Sequence, residues 1–187
     1  VAEQYPRWLA AGMHLATPNK KANSGPLDLY SRVLNARRAA GSHYLYEATV
    51  GAGLPIITTL RDLRETGDEI HRIDGIFSGT LAYLFNVWDG MTPFSAIVRD
   101  AKAKGFTEPD PRDDLSGMDG ARKMVILAGE MGMRLEVSDV ALEGLIPPHL
   151  VDCPPEEFME RFGELHAPML ARLESARAPD RVLPYVA

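Results

Sequence analysis

The chain has 187 residues and a mass of 20.5 kDa, enough for one domain with a sizeable core. Apolar residues make up 45% and charged residues 25%, which excludes collagen-like or wholly disordered material. Lys and Arg number 20 against 26 Asp and Glu, a formal charge of −6, and the Lys20-Lys21 pair is too small a footprint for nucleic acid or a membrane surface.

A cofactor carrying phosphates stays compatible with that charge, because a local site can be basic on an acidic protein. Cys153 is the single cysteine, so an internal disulfide is excluded and a reducing cytoplasm is expected. No apolar run approaches the roughly 20 residues of a membrane-spanning helix. The chain opens on Val1 without a basic-then-apolar leader, and residues 181–187 read as the start of a strand. The sequence is therefore expected to be a piece of something longer.

In chain order, residues 2–9 predict a short helix closed by Gly12, and residues 13–17 a short buried strand stopped by Pro18. Apolar spacing predicts a helix over 26–40, with Gly41 as its C-terminal cap. Residues 44–50 read as a strand running into Gly51-Ala52-Gly53-Leu54-Pro55, and Pro55 suits the first turn of a helix through Glu65, ended by Gly67. A further strand is expected over 70–77, then a helix over 81–87 with Ser78 and Thr80 as candidate caps. Thr92-Pro93 starts a helix that Lys104-Gly105 ends. Residues 106–117 form an acidic, proline-containing loop, and a helix follows over 119–131. A strand is expected around Val137, Val140 and Leu142, and a helix over 155–176 that Pro168 breaks in two. Strands alternating with helices place the chain in the α/β (α+β) class, with a mixed β-sheet covered by helices.

The loop from Gly105 to Leu115 places Glu108, Asp110, Asp113 and Asp114 within seven positions that also hold two prolines, Pro109 and Pro111. Fixed φ at the prolines makes it stiff, and stiff carboxylates grip a ligand amine or hydroxyl through charge-assisted hydrogen bonds. The same pattern also reads as an acidic surface turn whose Asp residues cap the next helix. Asp119 and Lys123 lie four apart on that helix. They form either a surface ion pair worth about 0.3–0.5 kcal/mol or an ammonium placed beside carboxylates to protonate a carbonyl oxygen. Lys20 and Lys21 follow a strand end, where open α/β sheets bind ligands; two exposed lysines after a turn are the alternative. Gly51-Ala52-Gly53 is not a dinucleotide fingerprint, since the third glycine is missing and Pro55 intervenes. Small residues at such a turn leave carbonyls exposed beside Glu47, a set able to hold a hard monovalent cation. The five histidines are scattered and none shares metal-ligand spacing with Cys153, which argues against zinc and against a Cys–His nucleophile.

The string Gly105-Phe106-Thr107-Glu108-Pro109-Asp110-Pro111-Arg112-Asp113-Asp114-Leu115-Ser116-Gly117, followed by Asp119 and Ala121-Arg122-Lys123, resembles the signature of the homoserine dehydrogenase family. Three further segments match in the same order: residues 16–22, 47–55 and 75–80. The resemblance covers at least residues 13–150 and is closest to the type found both alone and fused to aspartokinase. It implies NAD- or NADP-dependent interconversion of L-homoserine and L-aspartate 4-semialdehyde, on the way to threonine and methionine. Carried over by motif, Lys123 is the proton donor to the aldehyde oxygen and Lys20 a second catalytic lysine. Glu108, Asp114 and Asp119 form the substrate site, and Thr17, Lys20 and Gly105 lie against the cofactor. Glu47 with Val50, Ala52 and Leu54 is similar to the family's sodium site. The family's β-sheet also forms its dimer interface, so a homodimer is implied.

On this resemblance, residues 1–22 are the end of a truncated nucleotide-binding domain and residues 23–187 the catalytic and dimerisation domain. The glycine fingerprint of the nucleotide-binding half is absent, so the chain alone is expected to bind cofactor poorly and not to turn over. Gly120 stands where the family usually has an apolar residue, at a cost of about 1 kcal/mol relative to Ala. Two other readings are a non-catalytic dimerisation or interaction domain, and a regulatory amino-acid-binding module, for which no sequence feature speaks.

Overall fold

The computed structural model describes residues 1–176; the strand expected over 181–187 lies outside the described residues. A single turn at Ala2–Gln4 leads into α1 (Tyr5–Ala10), closed by Gly12 at φ +81°. β1 (Leu15–Ala16) and β2 (Tyr44–Leu45) pair in parallel, Leu15 opposite Tyr44 and Ala16 opposite Leu45. Between them runs α2 (Leu27–Ala40), which Gly41 ends in the left-handed conformation at φ +63°. Without a Cβ, Gly41 adopts this conformation at no steric cost, and the N–H of Ser42 then reaches the Arg37 carbonyl at 3.2 Å. α3 (Ile56–Glu65) follows Pro55, and α4 (Gly79–Val87) is capped by the Ser78 hydroxyl, which accepts from the Leu81 N–H at 3.1 Å. α5 (Phe94–Ala103) begins after Pro93, and α6 (Pro111–Leu115) lies inside the acidic loop. α7 (Met118–Glu130), α8 (Pro155–Arg161) and α9 (His166–Ala176) complete the described elements.

Two compact units are present, one built from residues 1–73 and 120–141, the other from 74–119 and from 142 onward. In the first, α1 packs on α2, with Leu9, Val33, Tyr44 and Ile57 at 0–1% exposure. The second has a continuous apolar cluster that includes Leu84, Phe94, Val98, Leu115, Phe158 and Phe162, all at 0% exposure. Trp88 and Phe94 meet edge to face at 5.2 Å between centroids. Each such fully buried side chain contributes about 1.5–3 kcal/mol by removal from water.

The helices stand where capping residues and prolines put them, but the strands do not. Residues 13–17 and 44–50 shrink to two paired residues each; Ala16 and Leu45 are exposed, so this strand is not the buried one expected. From Glu47 the chain turns into a 3-10 turn (Glu47–Thr49) instead of continuing as strand. Residues 70–77 form no ladder among the described residues, and Val137–Asp139 is another 3-10 turn, closed by a capping box between Glu136 and Asp139. A β pattern sets which face a residue can present, but a strand exists only where a second strand accepts its hydrogen bonds. The expected mixed sheet is, among the described residues, one two-stranded parallel pair. Thr80 is not a cap; its hydroxyl donates to the Phe106 carbonyl at 2.9 Å. The C-terminal helix breaks at Phe162–Leu165, ahead of Pro168. Pro168 then falls in the first turn of α9, where a missing N–H costs nothing.

Candidate functional site

Gly105 ends α5 at φ +74°, and the N–H of Phe106 reaches back to the Ala101 carbonyl at 2.9 Å. An added Cβ at Gly105 would meet nothing within 4 Å, so this backbone is open to close approach. Asp110 caps α6, accepting from the Arg112 N–H at 2.9 Å, and its two carboxylate oxygens also take the Arg112 guanidinium at 2.6–3.0 Å. Arg112 donates onward to the carbonyls of Val151 and Cys153 and stacks over the Phe158 ring, 5.2 Å from its centroid. These hydrogen bonds from Arg112 hold the Asp110 carboxyl below the usual carboxylate range, against a smaller opposing effect of burial. Asp110 is thus engaged within the acidic strap's own structure, capping the short α6 and not the helix that follows the loop, which was the capping alternative. Glu108 remains exposed, and its N–H donates to Asp114 Oδ2 at 2.8 Å. The half-buried Asp114 therefore sets the backbone that presents Glu108.

Gly117, buried at φ +73°, turns the chain into α7, whose first N–H donates to the Ser116 hydroxyl at 3.2 Å. Asp119 and Lys123 are half-buried on successive turns of this helix, and each is already engaged with a neighbouring group. Asp119 closes its segment of the second unit, while Lys123 belongs to the first.

In the first unit, β1 delivers Thr17, whose hydroxyl lies 3.1 Å from Tyr5 Oη and accepts from the Asn19 N–H at 3.0 Å. Asn19 in turn caps the 3-10 turn Lys20–Ala22 through the Lys21 N–H at 2.8 Å. Half-buried Lys20 is fixed at a strand end, its carbonyl accepting from the Ser24 hydroxyl at 3.0 Å. Glu47 sits over the amide end of α3: Oε1 accepts from the Ile57 N–H at 2.7 Å and Oε2 from the Thr58 N–H at 3.0 Å and from the Thr58 hydroxyl. Burial works to raise its pKa, but the bonds from Thr58 and Ile57 prevail and hold it low. The following turn has Gly51 at φ +75° and Ala52 at φ +53°, the latter a strained position for a residue with a Cβ. Val50 is buried there, while Ala52 and Leu54 are exposed and the Leu54 carbonyl accepts from the Ile56 N–H at 2.9 Å.

Two groups went unread in the sequence. Arg112 is the clasp of the strap, signalled only by its place two residues after a capping Asp. Glu130, 4% exposed, is a buried carboxylate on α7. The Tyr46 hydroxyl donates to it, Arg61 Nη2 lies 3.4 Å from Oε2, and Arg64 donates to its backbone carbonyl at 2.6 Å. Burial, with the adjoining carboxylate of Glu130, pushes the Tyr46 phenol far above its usual range. The available signal was an acid four residues after Ile126, on the apolar face of a helix. Among the described residues no group of three His, Cys, Asp or Glu is arranged to hold a metal ion, and no helix is long and apolar enough to cross a membrane.

Residues 55–187 match the family model described as homoserine dehydrogenase, and residues 1–47 the one described as homoserine dehydrogenase, NAD binding domain. A bifunctional aspartokinase/homoserine dehydrogenase 2, chloroplastic, from Zea mays is 54% identical over 187 residues, spanning all of this chain and 20% of that protein. The homoserine dehydrogenase of Schizosaccharomyces pombe is 45% identical over 193 residues, all of this chain and 51% of the relative. A crystal structure of a Candida auris protein of unknown function superimposes with a TM-score of 0.90 at 42% identity, covering 99% of this chain and 54% of that one. The chain thus spans about a fifth of the fused relative and half of the unfused one. With one family model matching most of its length and a second matching its start, the chain belongs to the homoserine dehydrogenase family.

Proposed function

We propose that this chain supplies the substrate-binding and dimerisation part of an enzyme interconverting L-homoserine and L-aspartate 4-semialdehyde with NAD or NADP, in threonine and methionine biosynthesis. The observation that carries this reading is the stiff acidic strap, clasped by Arg112 and leading directly into the helix that bears Asp119 and Lys123. Glu108 and Asp119 are suited to a substrate ammonium, and Asp114 holds Glu108 in place. Lys123 donates a proton to the carbonyl oxygen as it gains charge, and takes one back in the reverse direction. Lys20 is the second lysine of the site.

Toward the cofactor, Gly105 offers a backbone open to close approach in the second unit, and Thr17 and Lys20 offer a hydroxyl and an ammonium beyond a strand end in the first. When bound, the nicotinamide supplies or accepts the hydride. In this reading residues 1–22 close the nucleotide-binding domain and residues 23–187 form the catalytic and dimerisation domain. A sodium ion suits Glu47, kept ionised, with the carbonyls of Val50, Ala52 and Leu54; it would tie the strained turn to α3. A homodimer is supported by residues 70–77, where Ile76 is 52% exposed and no described strand accepts the backbone. The cytoplasmic setting belongs to the same proposal.

The test is reduced-cofactor absorbance during L-homoserine oxidation, with the chain in its full-length context and Lys123→Ala compared with the unsubstituted protein. Turnover should fall by at least about 100-fold with the circular dichroism spectrum unchanged. Turnover unaffected in a folded variant would favour a non-catalytic dimerisation domain. The chain assayed alone should be inactive.

A further inference from the structure

A cavity of about 370 Å³ opens in the first unit against α2, α3 and the end of α7. Arg37 and Arg38 line it from the last turn of α2, Arg61 and Arg64 from α3, and Arg134 from just beyond α7. Glu130 is the one acidic residue in the lining. Five guanidinium groups around one carboxylate are a marked local excess on a chain whose formal charge is −6.

Arginines near helix C-termini can serve only to offset the helix dipole. Arg64 does this, donating to the Glu130 carbonyl at 2.6 Å, and Arg61 is committed to Glu130 and Tyr46. Arg37, Arg38 and Arg134 have no side-chain hydrogen bond or ion pair among the described residues. Three like charges gathered on one cavity repel one another unless an anion joins them. None of the lining residues belongs to the strap, to the first turns of α7, or to the Thr17–Lys20 turn, so the proposed catalytic groups do not account for the cavity.

We propose that this cavity is a binding site for a small phosphate-bearing molecule. A carboxylate offers two oxygens to one or two guanidinium forks, whereas a phosphoryl group offers three oxygens and about two charges, enough to engage several forks at once. The volume is that of a small-molecule site, and Leu34 and Met133 supply apolar wall beside the charges.

Isothermal titration calorimetry of the chain with inorganic pyrophosphate, at fixed ionic strength, tests the assignment. Saturable one-to-one binding is expected, weakened tenfold or more by Arg38→Ala and by Arg134→Ala. It should stay within twofold in Arg7→Ala, a substitution on exposed α1 surface outside the cavity. Circular dichroism checks that each variant is folded. No saturable heat at millimolar pyrophosphate, or equal weakening in Arg7→Ala, overturns the proposal. Binding by the chain that vanishes in the full-length protein also overturns it, because an acidic segment of the longer protein would then be the occupant. The readout involves no turnover, so it fails or succeeds independently of the reaction proposed above.

Discussion

In the first unit Glu130 is 4% exposed and is held by residues 66 to 84 positions away, Arg64, Arg61 and Tyr46. In the second, Asp110 and Arg112 are two positions apart on a strap whose carboxylate is 28% exposed. Both are ion pairs with added hydrogen bonds, yet they do different work. The buried set fixes how distant helices meet, and breaking it strands a charge away from water. The clasp shapes one loop and leaves its charges near solvent, where they can rehydrate.

The sharpest way to break the comparison is to remove one partner from each. Arg61→Ala leaves Glu130 buried without its cation and should cost about 3 kcal/mol in urea unfolding. Arg112→Ala should cost about 1–2 kcal/mol, and Arg112→Lys should not restore it, because an ammonium cannot serve a carboxylate, two carbonyls and a ring together. Equal losses for Arg61→Ala and Arg112→Ala would erase the distinction.

Acid and alkali should separate the units further, since each carries one tryptophan, Trp8 in the first and Trp88 in the second. The Tyr46 phenol is raised in the folded protein, so its contribution is complete below about pH 10 and is lost as pH rises beyond that value. Asp110 is lowered, so its contribution is complete above about pH 4 and is lost as pH falls further. Fluorescence of a Trp88→Phe variant should report an alkaline loss that Tyr46→Phe removes. A Trp8→Phe variant should report an acid loss that Asp110→Asn removes. The smallest expected effect is a gain: Gly120 lies within α7, and a methyl group added there would meet no atom within 4 Å. Gly120→Ala should stabilise the helix by about 1 kcal/mol, read as a rise in urea midpoint.

The same contrast explains what was legible in the sequence. Caps and punctuation act within a few residues, so Ser78, Pro93, Gly41 and Gly67 announced their helices, and the strap's own residues carried the family signature. Tyr44 to Val50 and Ile70 to Phe77 have β-forming composition, but whether they pair depends on a partner strand that local sequence does not contain. Glu130 was hidden for a related reason: the groups that satisfy it are spread over α3 and the end of β2. Arg112 was passed over because a charge inside an acidic loop looks like solubility until its acceptors at Val151 and Cys153 are seen.

The discontinuity of the first unit also bears on the order of events during synthesis. Its opening 73 residues leave the ribosome well before residues 120–141, which complete it. Until then Tyr46 and Arg61 have no Glu130, and the Leu27 N–H has no Glu136, its acceptor 109 positions on at 2.8 Å. Residues 74–119 therefore emerge while their predecessor is still unfinished, with Tyr46 and Ile57 lacking the helix that completes their unit. Slow translation through that interval would prolong an aggregation-exposed intermediate, whereas rapid passage to residue 141 would shorten it.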